Sequence, residues 1–121
     1  MGKNVIKEKS LDFALEIVDL SKRLKYVEKE YALADQIMRS GTSIGANIRE
    51  AEFAESGADF IHKLSIALKE ANETDYWLEL IYRGGWMSKE EKFNFQAKNT
   101  SLIKLLISII KKRKENLRKR S

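Results

Sequence analysis

The chain has 121 residues, 43% hydrophobic and 34% charged, with a net charge of +5, which suits one domain (1–121) with a real core and little more. It has no cysteine, excluding a disulfide framework or a thiolate metal site. It has no proline and only six glycines, which predicts long helices with few turns. The opening MGKNVIKEKS has no apolar signal core, Ile6 breaks the myristoylation pattern, and no apolar run approaches a membrane span, so a soluble cytoplasmic protein is expected.

The first helix is predicted over about 8–27. Leu11, Ala14, Leu15 and Val18 make one apolar stripe, and Phe13, Ile17, Leu20, Leu24 and Val27 a second, roughly opposite. A surface helix of a monomer needs one such face, so two imply burial on both sides. Residues 28–31 are a short linker or the start of the second helix, which runs to about residue 55. Wound at 100° per residue, Leu33, Ile37, Ile44, Ile48 and Ala51 share one line. Ala34, Gly41 and Gly45 run along its edge, where two glycines cost helix propensity of roughly 1 kcal/mol each and predict a close approach by a neighbouring helix. Arg39, Arg49 and Glu50 fall on the far side.

Ser56 with Asp59 predicts an N-cap for the third helix. That helix turns Phe60, Leu64, Leu68, Ala71 and Leu78 inward, and Ile66, Trp77 and Leu80 outward. Asp75 lies within the inward stripe and requires a partner there, such as a lysine, an arginine or Asn47. Arg83-Gly84-Gly85 ends the helix. Ser88 and Glu91 then make a capping box for a fourth, whose core stripe is Phe95, Leu102, Leu105, Leu106, Ile109 and Ile110. Asn99-Thr100-Ser101 has poor helix propensity and marks a kink or an exposed turn. Four helices with short connections predict an all-α, antiparallel up-down-up-down four-helix bundle. The unpaired second stripes predict homo-oligomerisation.

The second helix carries Gln36, Arg39, Ser43, Ile44, Ala46, Asn47, Ile48 and Glu50, in the order Q-x-x-R-x-x-x-S-I-x-A-N-I-x-E. Phe60, Leu64, Ile66 and Ala67 follow as F-x-x-x-L-x-I-A. In these motifs the chain resembles the four-helix-bundle proteins encoded in intervening sequences of bacterial 23S rRNA genes. It is also similar to their relatives, the accessory proteins of diversity-generating retroelements. It departs from the pattern at Ala51, where glycine is usual, and at Lys69, Glu70 and Ala71, where G-S-L is usual. The resemblance covers about residues 5–117. It implies a homopentameric ring or barrel, binding to structured RNA or RNA–DNA hybrids, and, for the retroelement relatives, a reverse transcriptase as partner. The motifs themselves specify packing: Gly41, Ser43, Ile44, Gly45, Asn47, Ile48, Glu50 and Asp75 are read as structural, with Asn47 a buried polar residue that fixes helix register in preference to a ligand or nucleic-acid contact.

Catalytic patterns fail on context. Gly41-Thr42-Ser43-Ile44-Gly45 matches G-x-S-x-G, but no strand precedes it to make the sharp turn that exposes a nucleophile. Asp59-x-x-His62 occurs once, where a carboxylate-bridged metal site in a bundle needs two E-x-x-H pairs and two further glutamates. Ser101-x-x-Lys104 lacks its companion motifs. No enzyme, metal or cofactor is expected.

The functional signal is charge placement. Residues 111–121 hold seven Lys or Arg and one Glu, a local +6, which leaves the first 110 residues at −1. Lys111, Lys112, Arg113, Lys114, Arg118, Lys119 and Arg120 therefore form a basic C-terminal tail suited to phosphates, with Arg39 and Arg49 as further candidates. The competing readings are that the tail complements the helix macrodipole, or that it serves a protein partner of an adaptor.

Overall fold

The computed structural model describes residues 2–120, which form α1 (Gly2–Tyr26), α2 (Tyr31–Ala51), α3 (Gly57–Arg83) and α4 (Lys89–Arg120). Each helix packs on the next and α4 returns to α1, giving an all-α four-helix bundle.

α1 begins earlier than the periodicity predicts. Ile6 is 2% exposed and extends the buried row of Phe13, Ile17, Leu20 and Leu24 by a heptad at the N-terminal side. The Lys- and Glu-rich residues around Ile6 hide that position in the sequence. Val27, expected in the same row, is exposed instead, because the helix has already ended. The turn closes through Val27 N–H to Arg23 O (2.9 Å) and Glu30 N–H to Leu24 O (2.8 Å). It places Lys29 at φ +60, a left-handed conformation that costs an L-residue roughly 1–2 kcal/mol. Lys29→Gly removes that strain at some entropic cost in the unfolded chain. A net gain of about 0.5–1 kcal/mol is expected, read as a rise in thermal midpoint.

α2 stops at Ala51 rather than near residue 55. Phe53 N–H and Ala54 N–H bond to Glu50 O and Ala51 O (3.1 and 3.2 Å), a tightened last turn that turns Phe53 into solvent. The predicted cap of α3 forms: Ser56 Oγ accepts from Asp59 N–H (3.1 Å) and Asp59 Oδ2 accepts from Glu55 N–H (3.2 Å). α3 ends in a Schellman motif, with Trp86 N–H bonded to Ile81 O (3.1 Å), Gly85 N–H to Tyr82 O (3.0 Å) and Gly85 at φ +90. Ser88 caps α4 through Glu91 N–H (3.1 Å).

The α1–α2 contact explains the glycines. A Cβ on Gly41 would lie 2.7 Å from Ile17 Cγ2, and one on Gly45 would lie 3.3 Å from Ser10 Oγ. Ser21 Oγ adds a buried bond to Ala34 O (2.8 Å). α1 therefore rides on the small-residue edge of α2, as the sequence predicts.

Between α3 and α4 the expectations need correction at two places. The buried α3 row passes through Thr74, not Asp75, and Thr74 returns its hydroxyl to Glu70 O (2.8 Å). Asp75 sits half-buried beside that row. Its carboxyl is favoured by Lys92 of α4 and then by the amides of Asn99 and Gln96, with Glu79 opposing, so the expected lysine is among its partners and Asn47 is not. Burial, reinforced by repulsion from Glu79, holds its carboxyl above the usual range, while Lys92 and the two amides oppose the shift. Asn99, expected at a kink or exposed turn, is 0% exposed in an unbroken helix. Its Nδ2 donates to Ala71 O at 2.8 Å, so a tertiary bond takes the place of good local propensity.

Candidate nucleic-acid interface

Residues 111–120 are the last turns of α4 rather than a tail. Leu117 packs onto the start of α3, where a Cβ on Gly57 would lie 2.7 Å from Leu117 Cδ2. Arg113 lies over the Phe60 ring, 3.8 Å from its centroid. Phe60 is itself buried in the core, so the end of α4 is docked, and apolar packing continues past Ile110, where the sequence alone places its end. Lys111, Lys112, Lys114, Arg118, Lys119 and Arg120 are exposed on this fixed helix, and Arg113 is half-buried. The ten residues span roughly 15 Å at 1.5 Å per residue, a rigid stretch along the helix axis with its cations distributed around the helix.

Arg39 and Arg49 do not join that stretch. Arg39 bridges α2 to α3: its guanidinium pairs with Glu70 (3.1 Å) and Glu73 and bonds Gln36 Oε1 (3.0 Å). Trp77 Nε1 donates to the same Glu73 carboxylate (2.8 Å). Glu70 lies about 15 Å along α3 from Phe60, and a doubly paired arginine is committed to holding helices together. Arg49 is exposed and lines the groove between α1 and α2.

The motif residues of α2 pack. Ile44 and Ile48 are 0% and 4% exposed, and Glu50 faces solvent. Ser43 Oγ donates to Arg39 O (2.6 Å) and Asn47 Nδ2 to Ser43 O (2.9 Å). Gly41-x-Ser43-x-Gly45 is thus mid-helix with its hydroxyl bonded to backbone. Asn47 is half-buried and bonded within its own helix, whereas Asn99 bonds across helices. His62 is exposed, and among the described residues no group of three or more His, Cys, Asp or Glu could hold a metal.

One feature escapes the sequence patterns. Lys9, Glu16 and Arg23 recur at seven-residue spacing on α1 and meet Ser101 (3.4 Å), Lys98 (2.7 Å) and Glu91 (2.7 Å, bidentate) on α4. The partners descend α4 as the row ascends α1. This seam is the most open of the four, with clefts of about 270 and 470 Å³ floored by Phe13, Leu20 and Phe95. The heptad of polar residues beside the apolar row was its only signal. The Glu91 carboxylate therefore serves Arg23 rather than completing a reciprocal capping box.

The stripe Leu11, Ala14, Leu15 and Val18 is left uncovered in the single chain: Leu11 and Leu15 are 57% and 60% exposed, and the other two are half-buried. Leu11 and Ala14 of the stripe, with Thr42, Ala46 and Arg49 of α2, border a groove of about 260 Å³.

A family model for the 23S rRNA-intervening sequence protein matches residues 2–108. The chain belongs to that family. A crystal structure of a protein of unknown function from the S23 ribosomal protein family of Bacteroides thetaiotaomicron is 58% identical, with a TM-score of 0.90, over 92% of this chain and 99% of that one. Comparison with curated proteins returns no match. Membership in this family, and the packing roles of the motif residues, describe a non-enzymatic helical-bundle protein. Among the described residues no helix is long and apolar enough to cross a membrane. The family match stops at residue 108, so the basic turns 111–120 of this intervening-sequence protein lie beyond it.

Proposed function

We propose that this protein is a cytoplasmic, non-catalytic RNA-binding oligomer: an antiparallel up-down-up-down bundle whose copies associate through the uncovered α1–α2 face and present the α4 cations together. The observation that carries the reading is the docked basic helix end. Six exposed cations on a fixed helix, attached to a body of net charge −1, make a local positive field rather than a generally basic protein. Phosphate neutralisation and counterion release supply sequence-independent affinity from such a stretch, and the rRNA context in the family's name makes RNA the first polyanion to test. The occupant of the apolar face is a second copy of the chain. Its rim carries both signs, Lys7 and Arg49 with Glu8, which suits self-complementary contact. The family resemblance implies five-fold closure. Assembly brings several basic ends together and raises effective concentration.

Light scattering coupled to size exclusion should return a multiple of 14.0 kDa, and a clean monomer at micromolar concentration rejects the assembly. The triple variant Lys111→Glu, Lys114→Glu, Lys119→Glu should fold normally, since all three side chains are exposed. It should bind RNA more weakly, with a shallower salt dependence; each lost phosphate contact reduces the log–log slope by about 0.7–0.9. Truncation at residue 110 is the poorer test, because it also removes the Leu117 and Arg113 contacts. If the folded triple variant binds RNA like the wild type, the stretch is not the RNA site and an acidic protein partner becomes its ligand.

A further inference from the structure

We propose that Arg113, held on Phe60, is a stacking platform for one unstacked base of single-stranded RNA, with Asn116 at the base edge and Lys112 at its phosphate. The inference rests on the reading of the protein as RNA-binding and names a subsite within it. A guanidinium is planar and has two faces. In Arg113 one face is taken by the Phe60 ring at 3.8 Å, and Phe60 is 7% exposed and fixed in the core. Arg113 is nevertheless only half-buried. It lines an open recess of about 240 Å³ together with Phe60, Ile109, Lys112 and Asn116.

Residues 109, 112, 113 and 116 follow i, i+3, i+4, i+7 spacing, so they share one flank of α4 and point into the recess together. Leu117, seated on Gly57, fixes the turn that carries them. The arrangement differs from the rest of the basic stretch. Lys111, Lys114 and Lys119 are flexible point charges that suit a phosphate, whereas a guanidinium with one face stacked presents its other face, which suits a base. Asn116 offers one donor pair and one acceptor, the complement of a base edge. Lys112 adds a cation beside it, and Lys119 follows on the same flank one heptad later. A base must be splayed from its helix to reach this recess, so the subsite selects single-stranded over duplex RNA.

The test uses the full chain and a single-stranded oligoribonucleotide carrying one 2-aminopurine, with a duplex of the same length for comparison. Wild-type protein should raise the 2-aminopurine fluorescence on binding, because a base splayed onto the guanidinium leaves the neighbouring bases that quench it. Arg113→Lys keeps the charge and removes the plane. It should abolish the rise and weaken single-strand binding at least about fivefold, the lower end of what stacking supplies per base. The salt slope and the duplex affinity should not change. A purely structural role for Arg113 predicts a small shift in melting and no difference in fluorescence between the two proteins. Bound oligonucleotide with unchanged fluorescence in the wild type, or Arg113→Lys indistinguishable from it, overturns the subsite and leaves RNA binding standing. Absence of binding to both single strand and duplex overturns the two together.

Discussion

Gly41→Leu is expected to destabilise the bundle by about 3 kcal/mol, at the upper end of what overpacking costs. The position is buried, and even a Cβ would stand 2.7 and 2.8 Å from the two γ-carbons of Ile17, itself 0% exposed. Relief requires α1 to move off α2, which also disturbs Phe13, Leu20 and Leu24 in the same row. Gly45 makes the contrast. A Cβ there meets Ser10 Oγ at 3.3 Å and its other nearest atoms at 3.5 Å, close to ordinary contact. Gly45→Ala also gains helix propensity of roughly 1 kcal/mol, so it should melt within a few degrees of the wild type or above it. Gly41→Leu should melt more than about 10 °C lower, at roughly 4 °C per kcal/mol for a domain of this size. A Gly41→Leu protein as stable as the wild type would refute the close α1–α2 contact.

The second large effect is at Asn99. Asn99→Asp removes the donor to Ala71 O and places a carboxylate at a fully buried position near Asp75. An unpaired buried charge costs about 3–5 kcal/mol, and that loss is expected at neutral pH. Asn99→Leu should be milder, since it removes the donor together with an Oδ1 that finds no partner among the described residues. The pH dependence has a defined sign. A buried acid whose folded pKa is raised holds its proton more tightly when folded, so stability is greatest below the unfolded carboxylate range and falls as pH rises through the folded value. Asn99→Asp should therefore approach the wild type on acidification. Asp75 has the same sign in the wild type, because burial and then Glu79 raise it. Asp75→Asn should flatten its share of the decline, and thermal melts between pH 4 and 8 read both variants.

The small-residue edge of α2 was legible because it is a packing pattern. Gly41, Ile44, Gly45 and Ile48 have spacing that only a helix brings onto one side, so periodicity located them and anticipated the close contact. The caps at Ser56 and Ser88 were legible for a related reason: each is a bond between residues three apart. Arg39 was placed correctly outside the core by the helix wheel, but its partners, Glu70 and Glu73, stand more than thirty residues away in sequence and no wheel shows them. Asn99 was misread for the same reason. Its intrinsic propensity points to a kink, and only the carbonyl of Ala71 on another helix makes the position favourable.

The amino-acid sequence by itself determined four amphipathic helices, the close small-residue edge on α2, the caps, the family, and the concentration of positive charge at the C-terminal end. These follow from periodicity, local hydrogen bonding and composition, which need no knowledge of what lies across the core. The tertiary structure decided which polar groups have partners. It placed Asp75 beside Gln96 and Asn99, clasped α1 to α4 through Lys9, Glu16 and Arg23, and fastened the basic end through Phe60–Arg113 and Gly57–Leu117. Each of these depends on the relative rotation and axial shift of two helices, quantities set by side-chain interdigitation across an interface that no single helix encodes.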